Sequence, residues 1–150
     1  MSSVAFNSLY AFGLGVINLF IKALLTIVLI DRSSFDDSNL EHRRRVAFLL
    51  VVVVYPLLDE VIRLSAISVA YYVGCYYTLF MICAELNLGL SVGRKVVAKT
   101  MLGLGLSIVQ WICFAMLAKH STVAGLFITW GMHSGASLVI IAFCERYDST

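Results

Sequence analysis

Charge is what this chain has least of: Asp, Glu, Lys and Arg together make up 13% of its 150 residues, about half the share usual in a soluble domain. Phosphate-binding glycine loops, paired carboxylates at catalytic spacing and zinc signatures are also absent from the sequence. The four cysteines, Cys75, Cys83, Cys113 and Cys144, form no C-x-x-C pair and no cluster with histidine along the chain, so they read as small buried hydrophobes rather than as redox or metal groups. A net formal charge of only +2, with the basic residues in short segments beside apolar runs, excludes a nucleic-acid surface. Neither a cofactor nor a metal is expected. What is abundant is apolar surface: 61% of residues are hydrophobic and the mean hydropathy is +0.93. The expected setting is therefore the lipid bilayer.

Apolar runs fix the organisation. Val4 to Ile30 holds a single charge, Lys22, and no small-residue cleavage site precedes Asp31, so this reads as a retained first span and not a removable signal. After a polar loop, Ser38-Asn39-Leu40-Glu41 has capping-box spacing and predicts a helix starting near Asn39. The following run, Val46 to Gly93, is too long for one crossing of a core about 30 Å thick at about 1.5 Å per residue. A hairpin is expected near Asp59, Glu60 and Arg63, with Pro56 kinking the helix before it. Met101 to Ala118 makes another span, and Ser121 is the expected N-cap of the last. The result is an all-α, polytopic transmembrane bundle forming a single domain, with spans near 4–30, 42–62, 65–90, 101–118 and 122–144. With the N-terminus outside, Arg32, Arg43, Arg44, Arg45, Arg94, Lys95, Lys99 and Arg146 share one face and leave Arg63 and Lys119 on the other, a positive-inside bias. The alternative is four spans, with Val46 to Arg63 only dipping into the membrane.

At 100° per residue, Asn7, Ser8, Ala11, Gly15, Asn18, Lys22 and Thr26 fall on one third of the first helix, and lipid cannot satisfy such a stripe. Ala66, Ala70, Gly74 and Thr78 keep strict four-residue spacing on the third span, as do Gly131 and Gly135 on the fifth, and both sets predict close helix packing. Tyr71, Tyr72, Tyr76 and Tyr77 run deeper than an interfacial belt. They suit hydrogen bonding inside the bundle or a pocket for a hydrophobic ligand.

A charge at the centre of a bilayer costs at least about 2.5 kcal/mol, which makes Lys22 and Glu85, placed at similar depth, candidates for an ion pair; separate snorkelling is the alternative. Asn18, Asn87, Gln110 and His133 complete a candidate intramembrane polar network. Asp59, Glu60 and Arg63 would sit in a solvated hairpin or mark an outer acidic access point for cations or protons. His133 has no second histidine at matching depth for haem ligation. Its neighbourhood, Gly131 to Gly135, lacks the first glycine of the Gly-x-Ser-Gly motif of intramembrane serine proteases. Gly13-Leu14-Gly15 and Gly103-Leu104-Gly105 hint at an inverted repeat on three matched residues only.

These features predict a non-catalytic multi-pass membrane protein acting through helix packing, as an accessory subunit beside other membrane proteins or as an oligomer with itself. Two alternatives stand beside it: a small channel or carrier for protons, cations or a small solute, and a lipid or hydrophobic-ligand binder using Tyr72, Tyr76 and Trp111.

Overall fold

The computed structural model describes residues 2–31, 40–91 and 96–148, with side chains for 2–30, 41–87 and 102–143. All secondary structure among the described residues is helical. Helix α1 spans Ser3–Thr26 and runs into a π-helical turn, Ile27–Asp31. Helix α2, Leu40–Leu49, passes through a second π-helical turn, Leu50–Val54, into α3, Tyr55–Val69. Helices α4 (Tyr71–Ser91), α5 (Val96–Lys119) and α6 (Val123–Asp148) complete the chain. The helices bracketing Ser3–Ile30, Leu102–Lys119 and Val123–Phe143 are long and apolar enough to cross a membrane.

Local chemistry explains several boundaries. Ser2 caps α1, its hydroxyl accepting from the Ala5 amide at 3.2 Å. Thr122, one residue after the expected Ser121, caps α6 by accepting from Gly125 N at 3.1 Å. Pro56 has no N–H and its ring crowds the carbonyl four residues back. The chain meets this by widening the turn before α3 into π geometry. The indole of Trp130 then donates to the Val53 carbonyl within that turn, at 2.9 Å. The capping-box residues Ser38 and Asn39 and the basic residues Arg32, Arg94 and Lys95 lie outside the described residues, as do the side chains of Lys99 and Arg146.

The hairpin falls elsewhere than expected. Helix α3 continues through Asp59, Glu60 and Arg63 to Val69, and the reversal is made by one extended residue, Ala70 (φ −166°, ψ 149°). A break so late cuts the predicted small-residue ridge: Ala66 lies on α3, Ala70 is the corner, and Gly74 and Thr78 lie on α4. Gly74 is nonetheless a site of close approach, since a Cβ there would stand 2.4 Å from Ile67 Cγ1 across the hairpin. Gly131 and Gly135 differ, because a Cβ at either meets nothing within 4 Å among the described residues.

Helices α3 and α4 run antiparallel, with Ile67 against Gly74 and Arg63 against Thr78. Helices α4 and α5 do the same, through Tyr71 with Phe114 and Glu85 with Gln110. A core of Ala11, Ile62, Ala66, Val73, Tyr77 and Met81 joins α1, α3 and α4. Gly15 brings α1 so near α4 that a Cβ would lie 2.2 Å from the Phe80 ring.

Burial is inverted relative to a water-soluble protein. Phe20, Val123 and Val139 are 66–68% exposed, whereas Asn18, Glu60, Arg63, Gln110 and Thr129 are fully enclosed. Water would penalise that outer surface, and lipid would reward it.

Candidate functional site

The inward stripe of α1 delivers the first polar groups. Ala11, Gly15 and Asn18 are buried, and Asn7, Ser8, Lys22 and Thr26 are half-buried. Helix α3 lies against this stripe, and because it does not turn at Asp59, it carries that carboxylate to the level of Asn18 and Lys22. Asp59 Oδ1 accepts from Lys22 Nζ at 2.6 Å and from Asn18 Nδ2 at 2.7 Å. Asn18 Nδ2 also reaches the Tyr77 hydroxyl at 2.6 Å. Lys22 stands over the Tyr55 ring, 5.7 Å from its centroid. The Tyr55 hydroxyl bonds to Thr26 and to the Lys22 carbonyl, the latter at 3.1 Å.

A second ion pair lies beside the first. Arg63 Nη1 donates to Glu60 Oε1, and Arg63 Nε donates to Thr78 Oγ1 at 3.2 Å. Thr78 in turn donates to the Gly74 carbonyl at 2.9 Å. Arg63 also sits over the Tyr77 ring at 5.7 Å. His133, from α6, bridges the two pairs: its Nδ1 is 2.8 Å from Glu60 Oε1 and its Nε2 4.0 Å from Asp59 Oδ2. Removing a charge from water costs several kcal/mol per ion, so groups this enclosed persist only because each has a counter-charge or a hydrogen-bond partner. Glu60 Oε2 and Arg63 Nη2 are the exceptions within these two pairs, buried with no hydrogen-bond partner among the described residues.

Next to this network is a cavity of about 720 Å³, bounded by α1, α3, α4, α5, α6 and the second π turn. Leu19, Val51, Pro56, Phe80, Met81 and Leu106 make its walls apolar, while Lys22, Asp59, Glu85, Asn87 and His133 supply polar groups. Glu85 Oε1 accepts from the buried Gln110 Nε2 at 2.8 Å, and Glu85 Oε2 is enclosed with no hydrogen-bond partner among the described residues. Among the described residues, with His133 counted neutral, Lys22 and Arg63 face Asp59, Glu60 and Glu85, a formal excess of one negative charge that a protonated His133 cancels.

The expected residues thus separate into three groups. Asn18, Lys22 and His133 converge with Asp59, Glu60 and Arg63 in one network. Glu85 and Gln110 pair with each other, and Asn87 is exposed at the cavity's edge. Ala66, Gly74 and Thr78 pack the α3–α4 hairpin. Two expectations are corrected. Lys22 pairs with Asp59 and not with Glu85, because α3 brings a fully buried carboxylate closer. Asp59, Glu60 and Arg63 form no solvated outer turn, being at most 2% exposed, and Arg63 pairs inside the bundle with Glu60, at i,i+3. Of the four tyrosines only Tyr77 enters the network; Tyr71 and Tyr72, like Trp111, are exposed.

Of the cysteines read from the sequence as small buried hydrophobes, Cys113 is buried, Cys75 half-buried and Cys83 exposed, and the surroundings of Cys113 are polar. Buried on α5, Cys113 lies with Glu60 and His133 so that one sulfur, one carboxylate oxygen and one ring nitrogen fall within 4.8 Å of one another. The available signal was its position three residues after Gln110, hence on the same helix face. Comparison with protein-family models, with curated proteins and with solved structures gives no match.

Proposed function

We propose that this chain is an integral membrane protein of five spans, entering the bilayer from the outer side, that binds a small cationic solute in its internal cavity and carries it across. Withdrawing Arg63 from the loop count leaves eight basic residues on the inner side against Lys119, which supports the orientation. The observation that supports the functional reading is Glu85, a residue of the cavity wall whose Oε2 is enclosed with no hydrogen-bond partner among the described residues, in a cavity that is negative by one charge with His133 neutral. Ionisable groups inside a membrane bundle mark solute pathways by default, and a cavity of this volume, apolar with a few convergent polar groups, suits a small ligand. An ammonium with a modest apolar body would meet Glu85 with its charge, and Phe80 and Leu106 with its carbon.

The test is uptake of labelled methylammonium and choline into liposomes holding the full chain. Flux above empty vesicles that falls at least tenfold in Glu85→Gln supports the reading. Flux equal in wild type and Glu85→Gln, or none in either, contradicts it. A second reading, as an oligomer or a subunit of a larger membrane assembly, draws on the open helix face at Gly131 and Gly135, which no described part of the chain covers. A monodisperse monomer with no copurifying partner in mild detergent would rule against that reading.

A further inference from the structure

We propose that Glu60, Cys113 and His133 form a binding site for one divalent transition-metal ion, with zinc the best fit. Three helices, α3, α5 and α6, each contribute one donor, and all three residues are buried. Thiolate, imidazole and carboxylate are the ligand types zinc takes, commonly three from protein and a fourth position left open. The donor atoms lie within 4.8 Å of one another. Tetrahedral zinc with bonds of about 2.0–2.3 Å sets its ligands roughly 3.3–3.8 Å apart, so loading requires at most a contraction of about 1–1.5 Å.

Three independent features point to a ligand here. Glu60 is fully enclosed, its Oε1 is held by Arg63 and His133, and its Oε2 has no geometric hydrogen-bond partner among the described residues; the Cys113 thiol is close enough to donate to this carboxylate, the contact a metal ion would replace. The imidazole is flanked by carboxylates at both nitrogens, Glu60 at Nδ1 and Asp59 at Nε2. Nδ1 is within hydrogen-bond distance of Glu60 (2.8 Å), while Asp59 stands 4.0 Å from Nε2, a charge contact rather than a hydrogen bond. Charge supplies the third. With His133 neutral, two cations and three carboxylates leave a formal −1; a divalent ion adds two positive charges and the Cys113 thiol proton leaves to water, so the sum becomes zero. A monovalent ion replacing the same proton would leave the excess uncorrected, which in a low-dielectric interior favours the divalent ion.

Metal loading would use the same excess negative charge that the proposed solute meets, so the two readings are separated by measuring metal binding alone, in detergent without vesicles or solute. The purified full chain is titrated with Co²⁺, then with Zn²⁺ in competition. We expect one equivalent, a thiolate-to-cobalt charge-transfer band in the near ultraviolet, and displacement by zinc. Cys113→Ser should abolish the band and weaken zinc binding at least a hundredfold, with Cys75→Ser and Cys83→Ser unchanged. Should Cys113→Ser fail to fold, X-ray absorption of the zinc-loaded wild type decides instead: one sulfur at about 2.3 Å beside nitrogen and oxygen at about 2.0–2.1 Å sustains the site. No stoichiometric binding, a zinc shell without sulfur, or full binding retained by a folded Cys113→Ser protein overturns it.

Discussion

Replacing Arg63 by methionine is the most revealing single change to stability. The guanidinium is wholly enclosed, pairs with Glu60, donates to Thr78 and covers the Tyr77 ring. Methionine fills much of the same volume and leaves the fully enclosed Glu60 carboxylate without its counter-charge, with His133 Nδ1 at 2.8 Å as its remaining partner. Breaking a buried pair from one side costs about 3–5 kcal/mol, or roughly a 150- to 5,000-fold fall in the ratio of folded to unfolded protein. Glu60→Gln alone strands the arginine and should cost a similar amount. The double variant Arg63→Met/Glu60→Gln removes both charges, so its loss should be well below the sum of the single losses. Reversible unfolding by sodium dodecyl sulfate in mixed micelles, followed by far-ultraviolet circular dichroism, reads all three. A loss under about 1 kcal/mol for Arg63→Met, within the range of an exposed pair, or strict additivity in the double variant, would refute the enclosed pair.

Three glycines should rank by what a methyl group would meet, read in the same unfolding assay. Gly125→Ala should be worst, because its Cβ falls 2.0 Å from the His120 carbonyl oxygen and main chain cannot swing aside; a loss of about 2–3 kcal/mol is expected. Gly15→Ala collides with the Phe80 ring, which can shift, so about 1–2 kcal/mol should be lost. Gly131→Ala meets nothing among the described residues and should be neutral or gain up to about 1 kcal/mol from helix propensity. A different order, with Gly131→Ala the most harmful, would place an unseen partner on that face of α6.

The helical class, the apolar rods and the inward stripe of α1 were legible because each depends on periodicity along one helix. Ala11, Gly15 and Asn18 recur on one face whatever packs against it. The α3–α4 corner was not legible, because a solvated acidic turn at Asp59–Arg63 and a buried network at the same residues share one local pattern. What separates them is the partner: Lys22 and Asn18 for Asp59, His133 for Glu60, all remote in sequence. The single extended residue at Ala70 carries no glycine or proline to announce it. Cys113 was hidden for the same reason, since its neighbours Glu60 and His133 come from other helices.

Oxygen accessibility along α1 tests most directly whether the hydrophilic groups face one another and the apolar faces meet lipid. Spin labels placed singly from Leu9 to Leu24, in a chain whose four cysteines are replaced, would be measured in lipid bicelles. A wave repeating at about 100° per residue, with minima at Ala11, Gly15, Asn18 and Lys22 and maxima near Phe12, Val16 and Phe20, is the predicted result. A flat profile, or maxima on the Asn18–Lys22 face, would contradict it.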